Sequence, residues 1–473
     1  METPDREGRS EQQRSRAARW APVTLGTVFG APYAVLAVAR YRRMADTSWD
    51  LGIFDEAVRH YAHFQAPVVD IKGPGFDILG DHFSPVLAVL APVYRLFPGA
   101  VTLLIAQALL LGVSAVPLTR AAITRLGTGR GTALGIAYGT AWGLQRAADN
   151  GFHEIAFAVP LLAMTTTCLL DRRGRAAACW CLPLVLVKED LGLTVAAVGA
   201  LLVLRRERVL GCALVLFGTA AFAVTVGVLI PAMNSAGHYD YWSKVGGGGT
   251  AGSLLKPFLS GWDVKSQTLL VLFGTVGLLA LRSPLCLLAL PTLGWRFTAT
   301  DTVYWGTDWH YSAVLMPIVF AALVDAVVAA ESSPRRWLRG WAHNVVPAVL
   351  GIALTFTLAG RLPLQDLLHT ATYDPGPRAP AARHALAEIP DNATVETNIG
   401  LMSHLTSRCD VFWVGDTKGL TPRYIALDLL NGWSTPVTDP VGYARSLHPG
   451  ATYALLSNVD GYAVLRLNSP ANR

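Results

Sequence analysis

The sequence predicts an all-α polytopic membrane protein of about eleven transmembrane helices, ending in a small extracytoplasmic α/β domain. Three observations carry this. Only 15% of the 473 residues are charged and 52% are hydrophobic, whereas a soluble chain carries roughly 25% charged residues. Apolar runs near the length that crosses a bilayer recur up to residue 361. Arginines collect in alternate loops between those runs, as cytoplasmic loops require.

The runs fall near 21–40, 100–122, 131–147, 154–170, 175–187, 190–204, 209–231, 267–281, 284–299, 311–330 and 344–361. Residues 1–20 are polar and hold five arginines, and the run after them has no small-residue cleavage site. They read as a cytoplasmic N-terminal segment before an uncleaved first span. Inner loops then hold Arg120, Arg125 and Arg130; Arg172, Arg173 and Arg175; Arg205, Arg206 and Arg208; Arg282; and Arg335, Arg336 and Arg339. The transmembrane domain covers 21–361. The odd span count puts the tail, 362–473, outside.

One triple breaks the alternation. Arg40, Arg42 and Arg43 sit at the predicted outer end of the first span. They either snorkel to lipid phosphates or hold a phosphate on a substrate.

The net charge of +6 is arginine-dominated and belongs to these loops, so it does not point to nucleic acid. The six cysteines mostly lie in apolar runs and lack zinc or redox spacing, so neither a structural metal nor a disulfide framework is expected. Gly246–Gly249 reads as a flexible loop, since no strand or Gly-Lys-Ser/Thr follows it. The first outer loop, 41–99, carries two amphipathic segments, 50–65 and 82–97, suited to the membrane interface. In the tail, Ala393–Thr397, Val411–Val414, Tyr453–Leu456 and Tyr462–Leu467 read as strands, with a hairpin turn at Asn458–Gly461. His384–Glu388 and Val441–Leu447 read as helices.

Polar residues gather on the predicted outer side. Trp49–Tyr61 places Asp50, Asp55, Glu56, Arg59 and His60 just beyond the first span. Asp81-His82, His153-Glu154, Lys188-Glu189-Asp190, His238–Trp242 and Asp308–Tyr311 join them. Ionisable groups at a membrane boundary are costly unless solvated or paired, and they mark candidate sites. Taken singly, each cluster also reads as a solvated loop, a cap or an aromatic belt. A transporter would place charges at mid-span, and few are there. Asp50, Asp55 and Glu56 are the catalytic candidates. Arg59, His82, His153, Glu154, Lys188, Glu189 and His310 are candidates for substrate contact. No outer stretch has a metal-ligand spacing such as His-Glu-x-x-His. The sequence therefore names no cofactor and leaves a divalent metal requirement open.

Asp50–Asp55, Gly80–Pro85, Phe152-His153-Glu154, Val187–Gly192 and Trp309-His310-Tyr311 together resemble the signature segments of domain-of-unknown-function family 2079. The resemblance covers most of the chain, and that family implies no established reaction. More distantly, the layout resembles the GT-C membrane glycosyltransferases. These have an acidic residue just after the first span and two interfacial helices in the first outer loop, and many end in an extracytoplasmic domain. Asp50 with Phe54 matches their acid-aromatic pattern, and Asp55-Glu56 matches the paired-acid variant, so the base assignment is split. The resemblance implies a polyprenyl-phosphate-linked sugar donor, an acceptor the sequence does not name, and chemistry at the outer face of the cell membrane. A non-enzymatic lipid- or glycan-binding or assembly protein is the alternative.

Overall fold

The computed structural model describes residues 4–45, 49–244, 251–433 and 435–468. The glycine run at 246–249 lies outside the described residues. The chain begins with a single helix, α1 (Pro4–Arg42), apolar from Arg19 onward. The first loop carries α2 (Trp49–Ala62) and α3 (Ala91–Leu96), and α4 (Ala100–Leu126) follows it. Then follow α5 (Thr128–Gly139), α6 (Trp142–Asp149), α7 (Ala158–Leu170), α8 (Gly174–Cys181), α9 (Leu191–Leu204) and α10 (Arg208–Val224).

Among the described residues, five helical stretches are long and apolar enough to cross a membrane: Arg19–Arg42, Ala100–Leu126, Arg208–Met233, His310–Glu331 and Arg336–Gly360. Several other expected spans are shorter or interrupted. Residues 131–147 form two helices, because Ala141 adopts an extended conformation between α5 and α6. Gln145 Nε2 then donates to the Thr140 carbonyl freed by the break, at 2.7 Å. Residues 175–187 end in a 3₁₀ turn, Leu182–Leu186, with a proline at its start.

Close helix crossings rest on glycine. A Cβ on Gly112 of α4 would sit 2.5 Å from the Gly26 carbonyl oxygen and 2.8 Å from the Gly30 Cα, both on α1. Gly199 and Gly211 oppose each other likewise between α9 and α10. Where lipid removes the hydrophobic drive between helices, small residues allow the backbone approach that replaces it. The other face of α4 exposes Ile105, Leu109 and Val113, spaced by one helical turn, as a lipid-facing stripe requires. His310–Glu331 is mostly buried and forms the centre of the bundle.

The tail forms a five-stranded sheet in the order β2-β1-β3-β5-β4. Its strands are β1 (Thr394–Thr397), β2 (Asp410–Trp413), β3 (Tyr424–Asp428), β4 (Tyr453–Val459) and β5 (Tyr462–Leu467). The β1 strand pairs in parallel with β2 and β3, and β5 pairs antiparallel with β3 and β4. Asp460 and Gly461 both have positive φ in the β4–β5 turn, as a tight hairpin needs.

The first loop is where the structure departs most from the sequence reading. At 14 residues, α2 is about 21 Å long and too short to cross. It does not lie free on the interface either. Ile53 and Ala57 pack with Val69, Ile71 and Ile78 of the loop and with Val395, Met402, Val411 and Tyr424 of the tail. Leu51, Phe54 and Val58 pack the other way, on Leu87, Tyr94, Leu103 and Phe152. Helix α2 is therefore clamped between the bundle and the C-terminal domain. Residues 85–96 keep an exposed apolar face at Val89, Val93 and Leu96, as an interfacial segment would.

The α1–α4 crossing gives a direct test. Gly112→Leu should destabilise the protein by about 1–3 kcal/mol or more through overpacking against backbone, read as a lower melting temperature in detergent. Gly129→Ala, where nothing lies within 4 Å of the added Cβ, should leave it unchanged.

Candidate functional site

The site begins with the face that α2 turns to each side. Asp50 and Asp55 are five positions apart, hence about 140° apart around the helix. Asp50 and Phe54 face a cavity of about 340 Å³. Asp55 faces the C-terminal domain, accepting from Tyr94 Oη at 2.9 Å and from Thr406 Oγ1 at 2.6 Å. Glu56 is also fully buried and accepts the Ile71 N–H at 3.4 Å. Arg59 donates to the Cys409 carbonyl at 2.6 Å and to Asp410 at 3.1 Å. Asp55, Glu56 and Arg59 thus hold α2 to its neighbours, and the cavity does not include them.

The other sequence-selected residues do meet. Asp50, His82, His153, Glu154, Lys188, Glu189 and His310 line the one cavity. His153 is held from behind: its backbone N–H donates to Gln107 Oε1 at 3.0 Å, and Gln107 Nε2 donates to the Ala147 carbonyl at 3.0 Å and to the Gly151 carbonyl. The ring then presents Nε2 to Asp50 Oδ2 at 3.0 Å and stacks on His310 with centroids 3.5 Å apart. The Nδ1 atoms of both rings are buried without a partner among the described residues. Lys188 Nζ meets Glu154 at 2.7 Å, and His82 Nδ1 meets Glu189 at 2.7 Å. Glu189 also accepts from the Phe83 N–H and from Tyr239 Oη.

Electrostatics set the protonation states. Burial works to raise the Asp50 carboxyl, but the His153 hydrogen bond and the nearby charges of His153, Lys188 and His82 outweigh it and hold the group below its ordinary value. The Asp50 side chain is nonetheless 49% exposed, because its open side is the cavity. Glu189 is buried yet held down to about 2 by His82 and Lys188. Burial opposes charge on His82, but Glu189 and Asp81 raise it overall. Burial likewise opposes charge on Lys188, and Glu154, Glu189 and Asp190 more than restore it.

Several lining residues were not among the sequence's catalytic or substrate-contact candidates. Lys72 pairs with Asp81. Lys244 lies over the Tyr241 ring at 4.3 Å and has no carboxylate partner among the described residues. Trp295, Tyr304 and Tyr311 form one aromatic wall. Buried Arg296 fixes that wall, donating to the Tyr304 carbonyl at 2.8 Å, the Gly306 carbonyl at 2.6 Å and Ser312 Oγ at 3.0 Å. Asp190 Oδ1 is buried without a partner among the described residues. Leu193 and Phe222, from α9 and α10, close the apolar side. A usable signal was present: the chain has only six lysines among 39 basic residues, and Lys72, Lys188 and Lys244 are three of them. Among the described residues, no three His, Cys, Asp or Glu side chains are grouped to hold a metal ion.

Residues 40–438 match the family described as Predicted membrane protein (DUF2079). The chain belongs to that family. No curated protein matches it by sequence. The crystal structure of ArnT from Cupriavidus metallidurans bound to undecaprenyl phosphate is similar over 95% of this chain and 98% of its own, with a TM-score of 0.54 at 14% identity. The apo state of the same protein gives a TM-score of 0.45 at 13% identity, over 91% and 96%. At such identity the first of these likenesses is one of fold alone.

The two carboxylates of α2 separate experimentally. Burial raises Asp55 to about 6, against its hydroxyl donors and Arg59. A carboxyl whose folded pKa is raised contributes stability at acid pH, and that contribution is lost as pH rises through about 6. Asp55→Asn should therefore lose less stability than the native protein between pH 4 and 7, read from melting temperatures at both. Asp55→Ala should cost about 1–3 kcal/mol at pH 5 by orphaning Tyr94 and Thr406.

Proposed function

We propose that the protein is a GT-C-like glycosyltransferase that takes a sugar from a polyprenyl-phosphate carrier at the outer face of the membrane. One observation carries this reading. Among the described residues, a half-exposed carboxylate, Asp50, is held ionised at the mouth of a cavity that also holds lysines, histidines and an aromatic wall. The undecaprenyl phosphate bound in the ArnT structure supports a lipid phosphate as the donor's leaving group.

In this reading the acceptor hydroxyl oxygen attacks the anomeric carbon. The bond from that carbon to the phosphate oxygen breaks, and the lipid phosphate departs with the electron pair. Asp50 receives the hydroxyl proton as general base. His153 aims the carboxylate and keeps it ionised. Lys244, which has no carboxylate partner among the described residues, and Lys188 stabilise the phosphate as its charge grows. Trp295, Tyr304 and Tyr311 offer apolar faces to a sugar ring, and the unpartnered Asp190 oxygen and histidine nitrogens offer hydrogen bonds to its hydroxyls.

Asp50→Asn should lower turnover about 10²–10⁴-fold, the usual contribution of a positioned base, with melting temperature and lipid binding preserved. The acid limb of the native rate profile should lie below the ordinary carboxylate range, because the Asp50 pKa is lowered. Activity rises as this group deprotonates. Normal turnover by Asp50→Asn in a reconstituted assay with polyprenyl-phosphate sugars would remove Asp50 as the base.

The sidedness belongs to the same reading. The arginine alternation supports a cytoplasmic N-terminus and an extracytoplasmic C-terminal domain. Reporter fusions at Arg173 and Asn458 should therefore report opposite sides of the membrane. Matching sides would overturn the layout.

A further inference from the structure

A second cavity, of about 740 Å³, opens where the C-terminal end of α1 meets the C-terminal domain. One wall is apolar: Ala34, Val35 and Val38 of α1 and Ile105 of α4. Val35 and Ile105 are exposed and lie on stretches able to cross a membrane. That wall is thus continuous with lipid-facing surface. The opposite end is basic. Arg42 and Arg43 from α1 and the turn after it meet Arg383 from the helix Ala379–Ala387 of the C-terminal domain, against one carboxylate, Asp374.

The arginine triple from the sequence divides here. Arg40 is committed to structure, with Asp149 at 2.5 Å and Asp366 at 3.7 Å. Arg43 donates one N–H to the Ala371 carbonyl. Arg42 and Arg383 have no carboxylate partner among the described residues and are exposed. His404 lines the same cavity, stacked on Tyr41 at 4.0 Å, and its Nε2 is buried without a partner among the described residues. Burial pushes this imidazole down to about 4, so at pH 7 it is neutral and one ring nitrogen carries a donor. Snorkelling accounts for arginines at the end of a span. It does not account for Arg383, which arrives from another domain at the same opening.

We propose that this groove holds one anionic membrane lipid, its phosphate among Arg42, Arg43 and Arg383 and its chain along Val35, Val38 and Ile105. Guanidinium groups match phosphate oxygens in charge and in fork geometry. The apolar wall supplies what a free phosphate would not use. The site is separate from the cavity at Asp50, so the proposal does not depend on the transferase reading.

The test uses the full chain purified in a non-ionic detergent, with bound lipid counted by native mass spectrometry. Dioleoyl phosphatidylglycerol should bind the native protein about tenfold or more tighter than it binds R42Q/R383Q, as expected when charge-assisted hydrogen bonds are lost. Phosphatidylcholine with the same chains should bind the native protein more weakly than phosphatidylglycerol. Phosphatidylglycerol with a photoreactive tail should cross-link to α1 and α4 peptides. Millimolar inorganic phosphate should not displace the lipid. Val38→Trp, which narrows the apolar wall and keeps every arginine, should also weaken binding, and it decides the matter if R42Q/R383Q fails to fold. Equal affinity in native and variant proteins would overturn the proposal. So would phosphatidylcholine binding as tightly, cross-links outside α1 and α4, or displacement by inorganic phosphate, which would mark a free-anion site.

Discussion

A carboxylate cut off from water must find donors or give up its charge, and Asp55 of α2 finds Tyr94 on one side and Thr406 on the other. Tyr94 belongs to α3 and Thr406 to the C-terminal domain. This one side chain therefore joins three parts of the chain, Tyr94 lying 39 residues and Thr406 lying 351 residues further along. Arg59, one turn further along, repeats the tie at Cys409 and Asp410. With that face fixed, the rotation of α2 is fixed, and Asp50 can point only into the cavity. The positioning of the candidate base is thus a consequence of how its helix is clamped, because among the described residues the side-chain hydrogen bond of Asp50 goes to His153.

The cavity behind Asp50 is built from compensated charges. Lys188 with Glu154, His82 with Glu189, and Lys72 with Asp81 each neutralise within the protein. Breaking such a buried pair commonly costs about 3–5 kcal/mol, because the remaining charge is stranded. Loss of activity on mutating any of these would therefore mix chemistry with folding. Asp50 and Lys244 differ, since one is half exposed and the other has no carboxylate partner among the described residues. These two groups face the open cavity, which suits them to respond to a substrate.

The membrane character, the tail domain and most of the cavity residues were legible in the sequence, because each rests on a local signal. Apolar runs and arginine alternation mark spans. Ionisable residues interrupting apolar sequence mark the cavity. The choice between Asp50 and Asp55 was not legible. Helical spacing shows that they point apart, but which one faces the cavity depends on Thr406, which sequence does not place beside α2. The central strand β3 was missed for a related reason: Tyr424–Asp428 is buried throughout, so it lacks the alternation that identifies a half-buried strand. The break at Thr140-Ala141 was hidden because α5 and α6 together are apolar enough to read as one span.

The C-terminal domain does more than cap the bundle. Trp413 of β2 packs against Trp49 at the mouth of the first cavity, at 5.3 Å, while Arg383 and His404 close the second. Along the chain, Arg42 and Asp50 are only eight residues apart. A lipid seated among the arginines would therefore press on the same domain, and on the same end of the same short connection, that hold the candidate base in register. A shift of the C-terminal domain would be transmitted to α2, because Asp55 and Arg59 tie the two together. Displacements of about 1 Å can cost about 10²-fold in rate when the reacting groups are prealigned. The domain is thus part of the site's framework, since it holds one side of α2 while Leu51, Phe54 and Val58 hold the other against the bundle.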